Sequence, residues 1–258
     1  MLETIKNAWK VPELRKKIIF TFFIILVFRI GSVIPVPFVD PASIKAMSGE
    51  TDNQFFSYLS ILTGGGLQYG AIFAMSVTPY INASIIVQLL TVVFKPWERW
   101  AQQGEEGRRK LAQVTRYATV ILGLIQGIAY FFYLKKSACL SVTGGAVVFA
   151  AFVIVLCFTA GSALVMWLGE QIDVKGIGNG ISILLFAGII SRGPDAFAYI
   201  VGIWNIDSIS YKIAAIAIVL AFLAVIVFIV WMTNAERRIP IQYAKRVVGN
   251  KHYGGQNT

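Results

Sequence analysis

Long apolar runs separated by shorter charged stretches dominate this sequence. Six of these runs approach the roughly 20 residues that an α-helix needs to cross a bilayer. They cover residues 18–34, 71–94, 114–134, 146–168, 178–192 and 211–232, and the fifth is the shortest and is flanked by glycines. The pattern predicts an all-α membrane protein, a polytopic helix bundle that forms a single transmembrane domain over residues 1–258.

Basic residues are concentrated in alternate connections between the apolar runs. With the six spans above, 17 of the 23 Lys and Arg residues fall on the side that holds both chain termini. Because cytoplasmic loops of membrane proteins carry the excess of basic residues, both termini are expected in the cytoplasm. Arg29 lies within the first span, near its outer end, where a side chain that snorkels to the interface is favoured over a functional charge.

Composition narrows the possible chemistry. Hydrophobic residues make up 57% of the chain and charged residues 14%, whereas soluble domains carry about a quarter charged residues. The net charge of +10 is divided between loops, which argues against a nucleic-acid-binding surface. His252 is the only histidine, and Cys139 and Cys157 lack metal-ligand spacing. We therefore expect no metal, no cofactor and no catalytic histidine.

A half-length apolar segment lies between the first two spans, at residues 54–66. About ten helical residues reach only about 15 Å, which is half the thickness of a bilayer. Three consecutive glycines then end the helix and give the backbone freedom. The residues concerned are Phe55, Phe56, Leu59, Ile61 and Leu62 in the apolar part and Gly64, Gly65 and Gly66 in the glycine run. A re-entrant plug helix and an interfacial helix on the outer surface both fit this pattern.

The second span combines a proline, a polar face and an aliphatic row. Pro79 lies inside the run and predicts that the helix kinks or loosens near it. The polar face consists of Ser84, Gln88 and Thr91, and the adjacent aliphatic row consists of Val77, Ile81 and Ile85. Polar side chains within hydrocarbon are costly unless they meet protein or water. The helix either lines an aqueous path with a dry constriction or makes hydrogen bonds within a closed bundle.

Five stretches of this sequence together resemble the SecY family, whose members form the central subunit of the Sec protein translocase. They are FRIGSVIPVP (28–37), TPYINASIIVQLLTVV (78–93), GEEGRRKLAQVTRY (104–117), MWLGEQIDVKGIGNGISILLFAGI (166–189) and ERRIPIQYAKR (236–246). The resemblance implies ten helices in two inverted halves around an hourglass pore. This sequence would hold the first half of that inverted-repeat channel, with its re-entrant plug helix, and the sixth helix. The later spans of the family are missing, so we expect a fragment of a longer protein.

The resemblance also assigns roles to individual positions. The pore ring would receive Val77, Ile81, Ile181 and Leu185; isoleucine is common at the first and last of these positions, and the change still gives a dry aliphatic ring. The plug would be residues 54–66, and the lateral gate would include Asn82, Ile85 and Gln88. Arg237, Arg238, Lys245 and Arg246 would lie in the cytoplasmic loop that docks the SecA motor or the ribosome.

The function implied by the resemblance is transport without catalysis. The channel would pass unfolded secretory polypeptides across the bacterial cytoplasmic membrane and release transmembrane segments laterally into the lipid bilayer. Expected partners are SecE- and SecG-type small membrane subunits, the SecA motor, the ribosome, and secretory and membrane polypeptides as substrates. An inverted-repeat secondary transporter is the alternative, but it would need intramembrane carboxylates, and the acidic residues here map to connections or span ends. An intramembrane enzyme would need a His, Ser/Lys or Asp pair within the spans, and none appears.

Overall fold

The structure, a computed structural model, describes residues 9–48, 63–206 and 208–236, and the backbone of short strands within residues 241–257. These residues form two compact units, Met1–Pro194 and Asp195–Thr258. The described part of the chain is nearly all helical, as predicted. The single transmembrane domain expected for residues 1–258 stays a prediction.

The first unit is a bundle of long helices with short helices at their ends. Its elements are α1 (Pro12–Gly31), α2 (Pro41–Ser48), α3 (Thr78–Val93), α4 (Lys95–Gln102), α5 (Glu105–Lys136), α6 (Ala146–Lys175) and α7 (Gly180–Ile190). Helices α1, α3 and α4 each carry proline in the first turn, where the missing N–H removes no helical hydrogen bond. Helix α7 is capped by Asn179, whose side-chain oxygen accepts the Ser182 N–H at 3.0 Å.

The second apolar run is not one continuous helix. The kink or loosening predicted near Pro79 takes the form of a helix start, because α3 begins at Thr78 with the proline in its first turn. Residues 63–77 form successive turns, which we call the turn segment, with left-handed φ angles at Gly64, Gly65 and Gly70. At the other end of α3 the chain bends by 103° into α4. The run at 71–94 is therefore a 16-residue helix preceded by irregular backbone.

Two connections expected to be loops are mostly helical. The connection at 95–116 contains α4 and the first turns of α5, and α6 continues to Lys175, which leaves four residues before α7. Polar residues were interpreted as loop because they end the apolar pattern. A helix can continue beyond the hydrocarbon, however, and α5, at 32 residues, is about 48 Å long against a core of about 30 Å.

Six membrane spans were expected. Among the residues that the structure describes, fewer than six helical stretches are both long enough and apolar enough to cross a membrane. Four helical stretches are long and apolar enough: Glu105–Lys136, Ala146–Lys175, Gly180–Trp204 and Ile209–Thr233. The bent pair α3–α4 would make a fifth. Helix α1 does not qualify, because Arg15, Lys16 and Lys17 lie within its first turns.

The first unit has two apolar clusters. One joins α5 and α6 to the loops beside their ends and includes Phe131, Ile154 and Phe158. The other lies where α1, α6 and α7 meet the start of α3, and its buried members are Ile24, Phe28, Phe73, Val77, Val165, Leu168, Ile172 and Leu184. We call this second group the junction cluster.

The second unit holds the most apolar helix of the described chain. Its helices are α8 (Gly193–Trp204), which begins at the unit boundary, and α9 (Ile209–Thr233), whose apolar stretch has a mean hydropathy of 3.4. Nearly all large side chains of α9 are exposed, which suits a surface that faces lipid or other protein. In the tail, β1 (Ile241–Gln242) pairs antiparallel with β4 (Gln256–Asn257), and β2 (Arg246–Val248) with β3 (Lys251–Tyr253).

Candidate functional site

The four residues predicted for a pore ring all lie at the junction cluster. Val77 immediately precedes α3, and Ile81 lies one turn into that helix. Ile181 and Leu185 are four residues apart on α7, so they share one face. Val77 is 1% exposed, and the other three are partly buried and pack against the same cluster. The structure thus brings together four aliphatic side chains from two helices that are distant in sequence.

The start of α7 is fixed by a close crossing with α6. A Cβ added to Gly180 would lie 2.0 Å from the carbonyl oxygen of Gly169, and one added to Gly169 would lie 2.5 Å from Cδ1 of Ile181. The Asp173 carboxylate accepts the Gly180 N–H at 2.7 Å, which closes the short connection. The contact at Gly180 is with backbone and admits only glycine, so Gly180 sets the position of the adjacent ring residue Ile181.

The end of α7 meets the glycine run. Gly64 adopts a left-handed φ of 66°, and a Cβ there would lie 2.8 Å from both Cα and the carbonyl oxygen of Gly188. Arg29 donates from Nη1 to the Gly64 carbonyl oxygen and to Oγ of Ser191, each at 3.1 Å. The Ser191 hydroxyl donates to the Gly188 carbonyl at 2.6 Å and lies 3.3 Å from the Gly64 oxygen. Snorkelling was the favoured interpretation of Arg29 and stays a prediction; the exposed guanidinium also joins α1, α7 and the turn segment.

The turn segment is also held from its other side. The Tyr130 hydroxyl of α5 donates to the Leu67 carbonyl oxygen at 3.1 Å. The Ile72 carbonyl oxygen lies so close to α6 that a Cβ at Gly161 would be 2.1 Å from it. Irregular backbone inside a membrane protein needs such partners, since its polar groups have no helical ones. The segment that leads into the predicted ring is thus fixed by α1, α5, α6 and α7.

At the opposite end of the bundle, polar side chains connect α1, α5 and α6. Thr21 of α1 accepts the Ile177 N–H at 3.2 Å, which ties α1 to the connection before α7. Arg116 of α5 pairs with Glu170 of α6 at 2.6 Å. The Glu170 and Asp173 carboxylates are therefore engaged in contacts that hold helices together, which gives no support to a transporter with free coupling carboxylates.

The residues predicted for a lateral gate lie on the surface of α3. Asn82, Ile85 and Gln88 are spaced by three residues along this helix, and all three are exposed, Ile85 by 50%. They therefore form one face that the described part of the chain leaves uncovered. Their role in a gate stays a prediction.

Two predicted sites fall largely outside the described residues. Of the plug residues, Phe55, Phe56, Leu59, Ile61 and Leu62 lie outside them, whereas Gly64, Gly65 and Gly66 lie in the turn segment. Of the docking residues, Arg237, Arg238 and Lys245 lie outside, and Arg246 begins strand β2. Across the described ranges, no group of three or more His, Cys, Asp or Glu residues is arranged to hold a metal ion.

Comparison with known proteins identifies the family. The family model for SecY matches residues 71–258. The chain belongs to the SecY family. It is 44% identical to the protein translocase subunit SecY of Bacillus subtilis and 40% identical to that of Streptomyces coelicolor, with 100% of this chain covered in both cases. It spans only 60% and 61% of those two relatives' lengths.

Solved structures of SecY-like channels share this fold. A chain of Sec61 in the canine ribosome–channel complex from the endoplasmic reticulum matches with a TM-score of 0.59 at 18% identity, covering 92% of this chain and 54% of its own length. A protein-conducting channel matches with a TM-score of 0.58 at 19% identity, and the match covers 97% of this chain and 56% of the channel chain. The SecY fold predicted from the sequence motifs is confirmed by these likenesses.

Proposed function

We propose that this chain supplies the first part of the pore in a protein-conducting channel of the bacterial membrane. The observation that carries the proposal is the junction cluster, in which Val77 is buried and against which Ile81, Ile181 and Leu185 pack. Family membership and the shared fold agree with this function. Because the chain spans about 60% of its relatives, the rest of the pore lining would come from other parts of the channel.

The aliphatic side chains suit a seal that a polypeptide can pass. A narrow apolar constriction excludes water and ions by dewetting, and branched aliphatic side chains can yield around an extended peptide. Three of the four residues are only partly buried in this chain, so they retain surface that can face a pore. No covalent chemistry is needed for this role, and we propose that the chain is not an enzyme.

The exposed face of α3 suits a lateral exit into lipid. Asn82 and Gln88 can hydrogen-bond with a peptide backbone, and Ile85 offers apolar contact. An apolar segment that leaves this face for lipid gains about 25 cal/mol for each Å² of apolar surface removed from water. We propose that this face borders the path by which transmembrane segments leave the pore.

The remaining assignments rest on the sequence and the family. We propose that the apolar residues before the glycine run form a plug, and that both termini face the cytoplasm. The basic tail positions Arg237, Arg238, Lys245 and Arg246 would dock the SecA motor or the ribosome, whose RNA is a polyanion. SecE- and SecG-type small membrane subunits would complete the assembly, with unfolded polypeptides as substrates.

A charged residue in the constriction tests the pore assignment. We expect Ile81→Asp in the full-length protein to wet the junction cluster and raise the resting ion conductance in planar bilayers. Leu89→Asp is the matched control, because Leu89 lies two turns further along α3 and is 65% exposed. Equal resting conductance in the two variants, at equal membrane insertion, would contradict the assignment of the ring.

A further inference from the structure

The polar contacts at the end of α7 have a role that the pore ring alone does not explain. The Arg29 guanidinium reaches from α1 to two acceptors, the Gly64 carbonyl and the Ser191 hydroxyl, at 3.1 Å each. These acceptors lie 35 and 162 residues away in the sequence. One side chain therefore joins the glycine run to two helices of the first unit.

We propose that Arg29 is a positioning residue, and that with Ser191 it forms a latch that holds the glycine run against α7 while the channel is at rest. The inference rests on the proposed function, because it assigns a regulatory contact to the same pore. By the latch we mean Arg29, Ser191 and the Gly64 carbonyl oxygen.

The latch acts on the helix that carries half of the predicted ring. Ile181 and Leu185 lie on α7, and Ser191 is the residue that caps its end. At 11 residues, α7 is a rigid rod of about 16 Å. Any displacement of the far end of α7 from α1 must break the Arg29–Ser191 bond. The latch therefore couples the position of α7 to the contact between α1 and the glycine run.

The latch lies beside a close approach between the backbones of Gly64 and Gly188. A Cβ added to Gly64 would lie 2.8 Å from both the Cα and the carbonyl oxygen of Gly188, so the two backbones leave no room for a side chain at Gly64. The Ser191 hydroxyl donates to the Gly188 carbonyl at 2.6 Å and lies 3.3 Å from the Gly64 carbonyl oxygen. Arg29 supplies the bridge from that pair to the Gly64 carbonyl.

The strength of the latch suits a contact that opens. Both described acceptors of Arg29 are neutral oxygens, and the arginine is exposed, so the bonds are weaker than a buried ion pair with a carboxylate. A hydrogen bond from a charged donor shifts a two-state equilibrium by about tenfold. Loss of Arg29 is therefore expected to increase the unlatched population by about that factor.

The test compares the resting ion conductance of latch variants in the full-length protein reconstituted in planar bilayers. Arg29→Gln removes the charged donor, Ser191→Ala removes one acceptor while it keeps the charge, and Arg29→Lys restores a donor. Lys135→Gln is the matched control. Arg29 and Lys135 lie in the last turns of α1 and α5, and the loops that follow these two helices pair at Val39 and Leu140. Lys135→Gln therefore removes a positive charge at the same end of the bundle. Polypeptide transport and the temperature of unfolding in detergent are measured for every variant.

We expect Arg29→Gln to raise the resting conductance by about tenfold, with partial recovery in Arg29→Lys and no change in Lys135→Gln. Ser191→Ala should raise it less, and the two effects should be less than additive in the double variant, because both changes break the Arg29–Ser191 contact. If polypeptide transport is intact and Arg29→Gln has the same resting conductance as Lys135→Gln, the latch is overturned while the proposed pore function stands. Additive effects of the two changes would also overturn it. If Arg29→Gln does not fold, Ser191→Ala decides alone. A wild-type protein that transports no polypeptide would overturn the proposed function and, with it, the latch.

Discussion

Replacing Gly180 by alanine should displace the helix that carries Ile181 and Leu185. The added methyl carbon would lie 2.0 Å from the Gly169 carbonyl oxygen, 2.8 Å from the Gly169 carbonyl carbon and 2.9 Å from Cβ of Ile172. All three atoms belong to the backbone or first side-chain carbon of α6, and none of them can rotate away. The helices themselves have to separate.

The size of this displacement follows from the contact distance. Ordinary van der Waals contact for a Cβ begins at 3.4 Å, so α7 has to retreat by roughly 1.4 Å from Gly169. Overpacking of this kind costs about 1–3 kcal/mol, and we expect a value near the middle of that range because alanine also favours the helix. A loss of about 2 kcal/mol corresponds to a fall of roughly 4–8 °C in unfolding temperature for a chain of this size.

Two assays measure the effect, thermal unfolding in detergent and resting ion conductance of the full-length protein. The control is Gly193→Ala, since a Cβ at Gly193 meets nothing within 4 Å. We expect Gly180→Ala to unfold at lower temperature and to leak ions, because Ile181 moves away from the junction cluster. If the two variants unfold at the same temperature and conduct equally, the crossing does not set the position of the ring.

Three further predictions concern side chains that hold the bundle together. Tyr130→Phe removes the hydrogen bond to Leu67 at 3.1 Å, and should lower the free energy of unfolding in detergent by about 1 kcal/mol without loss of membrane insertion. Glu170→Gln should weaken the 2.6 Å pair with Arg116, and the loss, seen as faster unfolding in urea, should shrink at high salt because both side chains are partly exposed. The Ser43 hydroxyl and the Ala42 and Ser43 N–H groups donate to the Asp40 carboxylate, and these bonds hold the pKa of its carboxyl below the ordinary value of 3.8. Its contribution is present at neutral pH and is lost as the pH falls through that lowered pKa, so the difference in unfolding temperature between wild type and Asp40→Asn should vanish in acid.

Apolar patterning located most of the helices but missed their polar extensions. The run at 114–134 lies inside α5, which begins nine residues earlier, and α6 begins with the run at 146–168 but continues seven residues beyond it. Hydropathy reports the part of a helix that meets lipid, whereas backbone hydrogen bonding continues into water. Pro79 shows another limit of the pattern. A proline within an apolar run fits a kinked helix or a helix start, and the structure shows a helix start at Thr78.

The aliphatic residues of the site could be predicted, but the polar contacts that position them could not. The grouping of Ile81 with Ile181 came from resemblance to a family, since nothing in their spacing joins residues of two helices. Arg29 and Ser191 are separated by 162 positions, and a lone arginine near a span end fits snorkelling as well as it fits a contact. Such contacts depend on how helices pack, and no local pattern encodes them.

The two ends of α7 are held by different kinds of contact, and this difference limits how the helix can move. At Gly180 a close backbone approach is combined with a hydrogen bond to Asp173, whereas the Ser191 end, beside the Gly64–Gly188 approach, depends on partly exposed hydrogen bonds from Arg29. Release of the latch therefore favours a tilt about the Gly180 end. A tilt of about 10° moves Ser191 by about 3 Å but Leu185 by only about 1.3 Å, given 1.5 Å of rise per residue. A small widening at the ring thus accompanies a large separation at the glycine run, so loss of Arg29 should affect the resting seal more than it affects the stability of the bundle.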